Sequence, residues 1–183
     1  MPENTARSAQ VLSLPEGATP EVAPDAFVAP GSTLVGRVRA GERSSVWYGA
    51  VLRADLNGQE IVLGARSNIQ DNVSVHVEVG HSTRIGEGVS VGHNAVVHAA
   101  EIEDDVLIGM GAVVLTGARI GAGSLIAAGT VVLEGTEIPP RSLVAGVPGK
   151  VRRQTTDDEV EAIRRNAETY LELSETHAAA RGA

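Results

Sequence analysis

The sequence predicts an all-β solenoid, a parallel β-helix of hexapeptide repeats followed by a C-terminal α-helix. Three observations predict it. From Ile102 every sixth residue is a β-branched aliphatic: Ile102, Ile108, Val114, Ile120, Ile126, Val132, Ile138 and Val144. Glycine often follows that position, as in Leu63-Gly64, Ile85-Gly86, Val91-Gly92, Ile108-Gly109 and Ile120-Gly121. Beyond residue 155 the apolar spacing changes to that of a helix, with Val160, Ile163, Ala167, Tyr170 and Leu171 on one face. A period of six fits neither an amphipathic helix nor a plain alternating strand. It is the period of short strands meeting at corners, three strands to a triangular coil, with one aliphatic side chain per strand pointing inward.

Taken in order, residues 1–22 read as an N-terminal extension. "MPENTARSAQVLSLPEG" has no basic start followed by an apolar run, so no signal peptide is expected. Residues 23–150 carry the solenoid. Its register is loose before Val46, where Ala40 fills an aliphatic slot and Leu34 and Val35 compete for another. It is then clear in pieces: Val46 and Leu52; Leu63, Ile69 and Val75; Ile85, Val91 and Val97. Leu52 to Leu63 is eleven residues and Val75 to Ile85 is ten, and both excesses read as loops extruded at corners. Val97 to Ile102 is one residue short, a small corner adjustment. Residues 151–183 form a linker, a helix over about 156–178 covering an exposed edge, and a frayed tail, "HAAARGA". The helix opens with Thr156-Asp157-Asp158-Glu159, a capping-box pattern.

With 183 residues the chain suits one domain. Aromatics make up 2% and cysteine is absent, so the core is aliphatic, without disulfides or thiolate metal sites. A net charge of −8 argues against nucleic acid and anionic membranes as partners. No apolar run approaches the roughly 18 residues of a membrane span. A soluble, cytoplasmic protein is the expectation. The glycine-rich "IGMGAVV" and "IGAGSLI" lie in repeat register and read as corners, not nucleotide loops.

Counting hexad steps instead of residues places the histidines. His76 follows Val75 and His98 follows Val97, three inward positions and hence one coil apart. Both face outward in one column, on strands about 4.8 Å apart, a gap that one metal ion can bridge. His93 lies two residues past Val91, on the preceding face, and cannot readily reach that pair within its own chain. In a threefold trimer, His93 of a neighbouring subunit can. Three neutral imidazoles with one open position form the ligand set of a catalytic zinc site. Arg53 stands one coil below His76, and Gln70 and Asp71 lie on the face before it. Asp55 and Asp71 are the nearest carboxylates to offset Arg53.

"SSVWYGAVLRADLNGQEIVLGARSNIQDNVSVH" and "VSVGHNAVVHAAEIEDDVLIGMGAVVLTGARIGAGSLIAAGTVV" resemble the gamma-class carbonic anhydrase family and its ferripyochelin-binding-like homologues. The resemblance spans roughly Pro24 to Arg153. It implies a homotrimer of left-handed β-helices with metal sites between subunits, His76 and His98 coming from one chain and His93 from the next. It implies Zn2+, with Fe2+ or Co2+ as alternatives. Arg53 and Asp55 match the family's arginine–aspartate pair, implied to make ionic contacts across the interface. Gln70 and Asp71 match its glutamine–aspartate pair, the glutamine implied to hydrogen-bond near the metal-bound water.

The reaction so implied is reversible hydration of CO2 to bicarbonate. The metal lowers the pKa of its water from about 15.7 to about 7, and the hydroxide attacks CO2. The family's acidic proton-shuttling loop is not matched. Leu56 follows Asp55, the loop after His76 is short, and only Glu78 or His81 could substitute there, so weak turnover is expected. Two other readings compete. A hexapeptide-repeat acyltransferase using acyl-CoA needs a single histidine as general base, and a non-catalytic trimer would use the metal as a staple.

Overall fold

The computed structural model describes residues 8–15 and 17–181. The first seven residues of the expected extension, Glu16 and the last two residues of the expected tail lie outside the described residues. Among the described residues, the chain winds into a left-handed parallel β-helix of three sheets with seven, seven and eight strands. Within the parallel coils a strand pairs with the one three places later, so three strands make one coil.

The six-residue period is the packing rule of the interior. Leu34, Leu52, Val75, Val97, Val114 and Val132 stack inside the first sheet. Ile85, Ile102, Ile120 and Ile138 do so in the second, and Val46, Ile69, Val91, Ile108, Ile126 and Val144 in the third. These residues form one continuous aliphatic cluster. Leu34 and not Val35 takes the inward slot, being fully buried and paired with Leu52. Ala40 is inward too, opposite Leu63. Corners demand glycine where coils nearly touch. At Gly36, φ is +76° and a Cβ would be driven into the Ala54 carbonyl oxygen.

Two solenoid strands fall within residues 1–22. Gln10–Leu12 pairs with Thr33–Gly36, and Glu21–Val22 pairs with Val38–Ala40. The period of six therefore runs back through Val28 to Val22. The two long steps are corner loops: Ala54 to Ile61, and His76 to Thr83, where Glu78 and His81 form an isolated bridge.

The C-terminal segment departs from expectation in three ways. Lys150–Gln154 is a strand, antiparallel to Ser142–Ala145 at the end of the third sheet. The helix runs over Asp157–Arg181, so His177 to Arg181 continue it instead of fraying, as suits an alanine-rich stretch. It covers a face and not an edge. It packs on the strands Phe27–Val28, Ser45–Val46 and Ser90–Val91 of the third sheet; Ile163 and Ala167 are buried, as are the sheet's outward Ser45, Asn68 and Ser90. Their polar atoms are satisfied laterally: Asn68 donates to Ser90, and Ser45 accepts from the Trp47 indole. The capping box forms reciprocally, Glu159 N–H to Thr156 Oγ1 at 3.2 Å and Thr156 N–H to the Glu159 carboxylate at 2.9 Å.

The three outward faces thus differ in chemistry. The first sheet presents a column of half-buried valines, Val96, Val113 and Val131, beside the histidines, with exposed Ser74 between Val96 and Val51. The second carries a ladder of opposite charges, Glu21–Arg39–Glu60–Arg84 and Glu101–Arg119. The third lies under the helix.

Candidate metal centre

Strand register puts Arg53, His76 and His98 side by side on three consecutive coils, at the outward position after an inward aliphatic. The two imidazoles turn toward each other, His76 Nδ1 and His98 Nε2 standing 3.2 Å apart. His76 Nε2 lies 3.1 Å from Asp55 Oδ1, at the start of the first corner loop. Burial by itself would raise the Asp55 carboxyl. Hydrogen bonds from His76 and Arg53, with the guanidinium's charge, reverse this and hold it below the usual carboxylate range. Asp55 therefore accepts, the His76 proton resides on Nε2, and Nδ1 offers a lone pair to the gap. His98 Nδ1 stands 2.9 Å from the Thr116 hydroxyl, which can serve either tautomer. When Thr116 donates, His98 Nε2–H donates to His76 Nδ1; when Thr116 accepts, two lone pairs face each other, an arrangement that suits a cation between them.

The donor set fits such a cation. Two nitrogens each about 2.0–2.1 Å from a tetrahedral zinc are separated by about 3.3–3.4 Å, close to the 3.2 Å found. Each ring is also held at its other nitrogen by a partner, as metal-ligating imidazoles usually are. Among the described residues, no three His, Asp or Glu side chains of this single chain gather into a set that could hold a metal ion.

His93 belongs to a separate group, in the turn between Ser90–Val91 and Val96–His98. Its Nδ1 is 2.9 Å from Asp71 Oδ2. Its main-chain N–H donates to Gln70 Oε1 at 3.2 Å, and Gln70 Nε2 donates to Asn68 at 3.0 Å. Gln70 is 4% exposed. Tyr170, from the helix, reaches His93 Nε2 with its hydroxyl at 3.3 Å. Burial, with the Asp71 charge nearby, raises the Tyr170 phenol, which remains a donor at neutral pH.

The seven residues singled out from the sequence thus fall into two clusters: Arg53, Asp55, His76 and His98 on the first sheet, and Gln70, Asp71 and His93 at the neighbouring corner. Arg53 and Asp55 pair with each other within the chain. Thr116 and Tyr170 were not anticipated as members. Thr116 sits one residue past the column position after Val114, in the turn, where the six-residue rule assigns no side chain to the column. Tyr170 carries a compositional signal, as one of only four aromatic residues in the chain. Glu78 and His81 lie apart. The Glu78 carboxylate accepts from the Val79 N–H, and His81 lines a pocket of about 150 Å3 with Arg84, Glu101 and Arg119.

Comparison with known proteins identifies the family to which such a coil belongs. The bacterial transferase hexapeptide (six repeats) family matches residues 99–134. A Methanocaldococcus jannaschii protein named "Probable carbonic anhydrase" is 52% identical over 149 residues, 81% of this chain and 92% of that protein. Gamma carbonic anhydrase 2, mitochondrial, of Arabidopsis thaliana is 41% identical over 166 residues, 87% of this chain and 59% of that protein. A Bacillus cereus crystal structure described as a candidate acetyltransferase superposes with a TM-score of 0.89 at 35% identity, covering 93% of this chain and 97% of the other. Identity of this degree, over four-fifths of the chain, settles the family: the chain belongs to the gamma-class carbonic anhydrases.

Proposed function

We propose that this chain catalyses the reversible hydration of CO2 to bicarbonate at a divalent metal site completed between subunits of a homotrimer. One observation carries the reading: two imidazoles on adjacent coils face each other across 3.2 Å, each held from behind. His76 and His98 of one subunit and His93 of the next would hold the ion. Three imidazoles suit Zn2+, and Fe2+ or Co2+ as well. When bound, the ion lowers the pKa of a coordinated water to about 7 and so supplies a nucleophile for CO2 at neutral pH.

The chain's own residues do the rest. Asp55 and Thr116 orient His76 and His98, and Arg53 offsets the Asp55 charge. Asp71 keeps the His93 proton on Nδ1, leaving Nε2 to ligate. Gln70 has one N–H and one lone pair beyond those used by Asn68 and His93, enough to orient an oxygen at the site. The half-buried valine column beside the histidines supports assembly through the first sheet, since the second presents charge and the third is covered.

The test is metal content with stopped-flow CO2 hydration, comparing wild type with His98→Ala. The reading expects one ion per chain and hydration above background, both lost in the variant. Equal, background rates in the two proteins would remove it. The resemblance to the candidate acetyltransferase favours a second reading, acyl transfer with one histidine as base. Consumption of acyl-CoA by metal-free protein would select that reading instead.

A further inference from the structure

His93 has both ring nitrogens engaged within its own chain. Asp71, which can only accept as a carboxylate, fixes the proton on Nδ1, so the hydroxyl of Tyr170 must donate to the lone pair on Nε2. That lone pair is the one a shared ion would need, and the inference below rests on that metal reading.

Tyr170 does not reach His93 by chance of a mobile side chain. Its ring meets the Trp47 indole edge-on, at 5.3 Å between centroids and 86° between planes. Trp47 is 4% exposed and donates its Nε1–H to Ser45 at 2.9 Å. Phe27 packs on the indole at 5.3 Å and His177 at 5.1 Å. His177, one further stretch along the helix, accepts from or donates to the Tyr48 hydroxyl at 2.8 Å. All four aromatic residues of the chain are gathered here, under the helix.

We propose that the Tyr170 hydroxyl is a displaceable cap on the ligating lone pair of His93, held in place by this aromatic platform. In the metal-free protein it satisfies Nε2 and keeps the imidazole aimed. Metal binding takes Nε2 and releases the hydroxyl, so Tyr170 is a positioning residue that competes with the ion. The exchange is of one neutral hydrogen bond, worth about three- to tenfold in affinity.

The test titrates metal-stripped wild type, Tyr170→Phe, Tyr48→Phe and His98→Ala with Zn2+. Affinity is read by chelator competition, and the tyrosine environment by near-ultraviolet difference absorption. Tyr170→Phe keeps the ring and its packing, so the metal-free variant should fold as wild type does and lose only the stability that one neutral hydrogen bond supplies. The expected result is about three- to tenfold tighter Zn2+ binding by Tyr170→Phe. A tyrosine difference band should accompany binding in wild type and in Tyr48→Phe, and be absent from Tyr170→Phe. Equal or weaker binding by Tyr170→Phe, or a band that persists in it, overturns the cap while leaving the metal site standing. Wild type binding no more Zn2+ than His98→Ala overturns both.

Discussion

Asp55 and Thr116 grip the paired imidazoles from opposite ends, Asp55 at His76 Nε2 and Thr116 at His98 Nδ1, at 3.1 and 2.9 Å. Neither would touch the ion. Both fix which nitrogen is free to bind it, so their loss should weaken binding without removing a ligand. Asp55→Ala is expected to lower metal affinity by about 10–100-fold and Thr116→Val by about tenfold, measured by competition with a chromophoric chelator.

Metal and assembly should be linked. An ion bound only by the folded protein stabilises it by about 2.7 kcal/mol when present at a hundred times its dissociation constant. Chelation should therefore lower the thermal midpoint of wild type, and His98→Ala should begin at the lower midpoint and not respond. Differential scanning calorimetry with and without chelator reads this directly.

Proton export should limit turnover. Glu78 is engaged with the Val79 backbone and His81 faces a pocket of charged residues on the second sheet's side. Neither side chain is hydrogen-bonded, among the described residues, to His76 or His98. Added imidazole buffer is expected to raise kcat to a plateau and leave kcat/KM nearly unchanged, as seen by stopped-flow hydration. A kcat indifferent to buffer would mean that an internal carrier exists.

The helix start should be acid-sensitive. The hydrogen bond from Arg153, followed by that from the Thr156 backbone, lowers Glu159 from its usual 4.5 to about 2. A folded pKa below the unfolded one stabilises above the unfolded value and loses that contribution as pH falls through the folded value. Helix content by circular dichroism should thus decline between pH 4.5 and about 2, and Glu159→Gln should flatten that decline. At neutral pH, Thr156→Ala should cost about 0.5–2 kcal/mol.

Inward and outward positions should respond differently to truncation. Ile108 is fully buried between Val91 and Ile126, and Ile108→Ala should cost about 2–5 kcal/mol, Ile108→Val about 0.5–1.5. Arg119→Ala, on the exposed ladder, should stay within about 1 kcal/mol. Chemical denaturation distinguishes the two.

The coil and its histidine column were legible in the sequence because both obey the period. Ile102 through Val144 are inward as spaced, and His76 falls opposite His98 once the loop is discounted. Contacts made by elements outside the period were not legible. Tyr170 meets His93 from 77 residues away, and no local pattern encodes where a helix docks. The helix face was visible, but an apolar stripe serves a sheet's edge as well as its face. The strand Gln10–Leu12 leaves no mark in the pattern because its three residues are exposed and bury no repeating position.

A coiled stack of parallel strands has no intrinsic length, since its last rung offers the next chain the same template that the previous rung offered it. Here each of the three terminal rungs is blunted by different means. Lys150–Gln154 reverses across one and leaves a cationic border. The turn from Gly146 to Gly149 takes both hydrogen-bonding groups of Val131 on the second. Pro139 and Pro140, lacking N–H donors, follow Glu137–Ile138 on the third. The coil is therefore closed at this end by its own chain, and deletion from Gly146 onward is expected to bare strand edges that can template fibre growth.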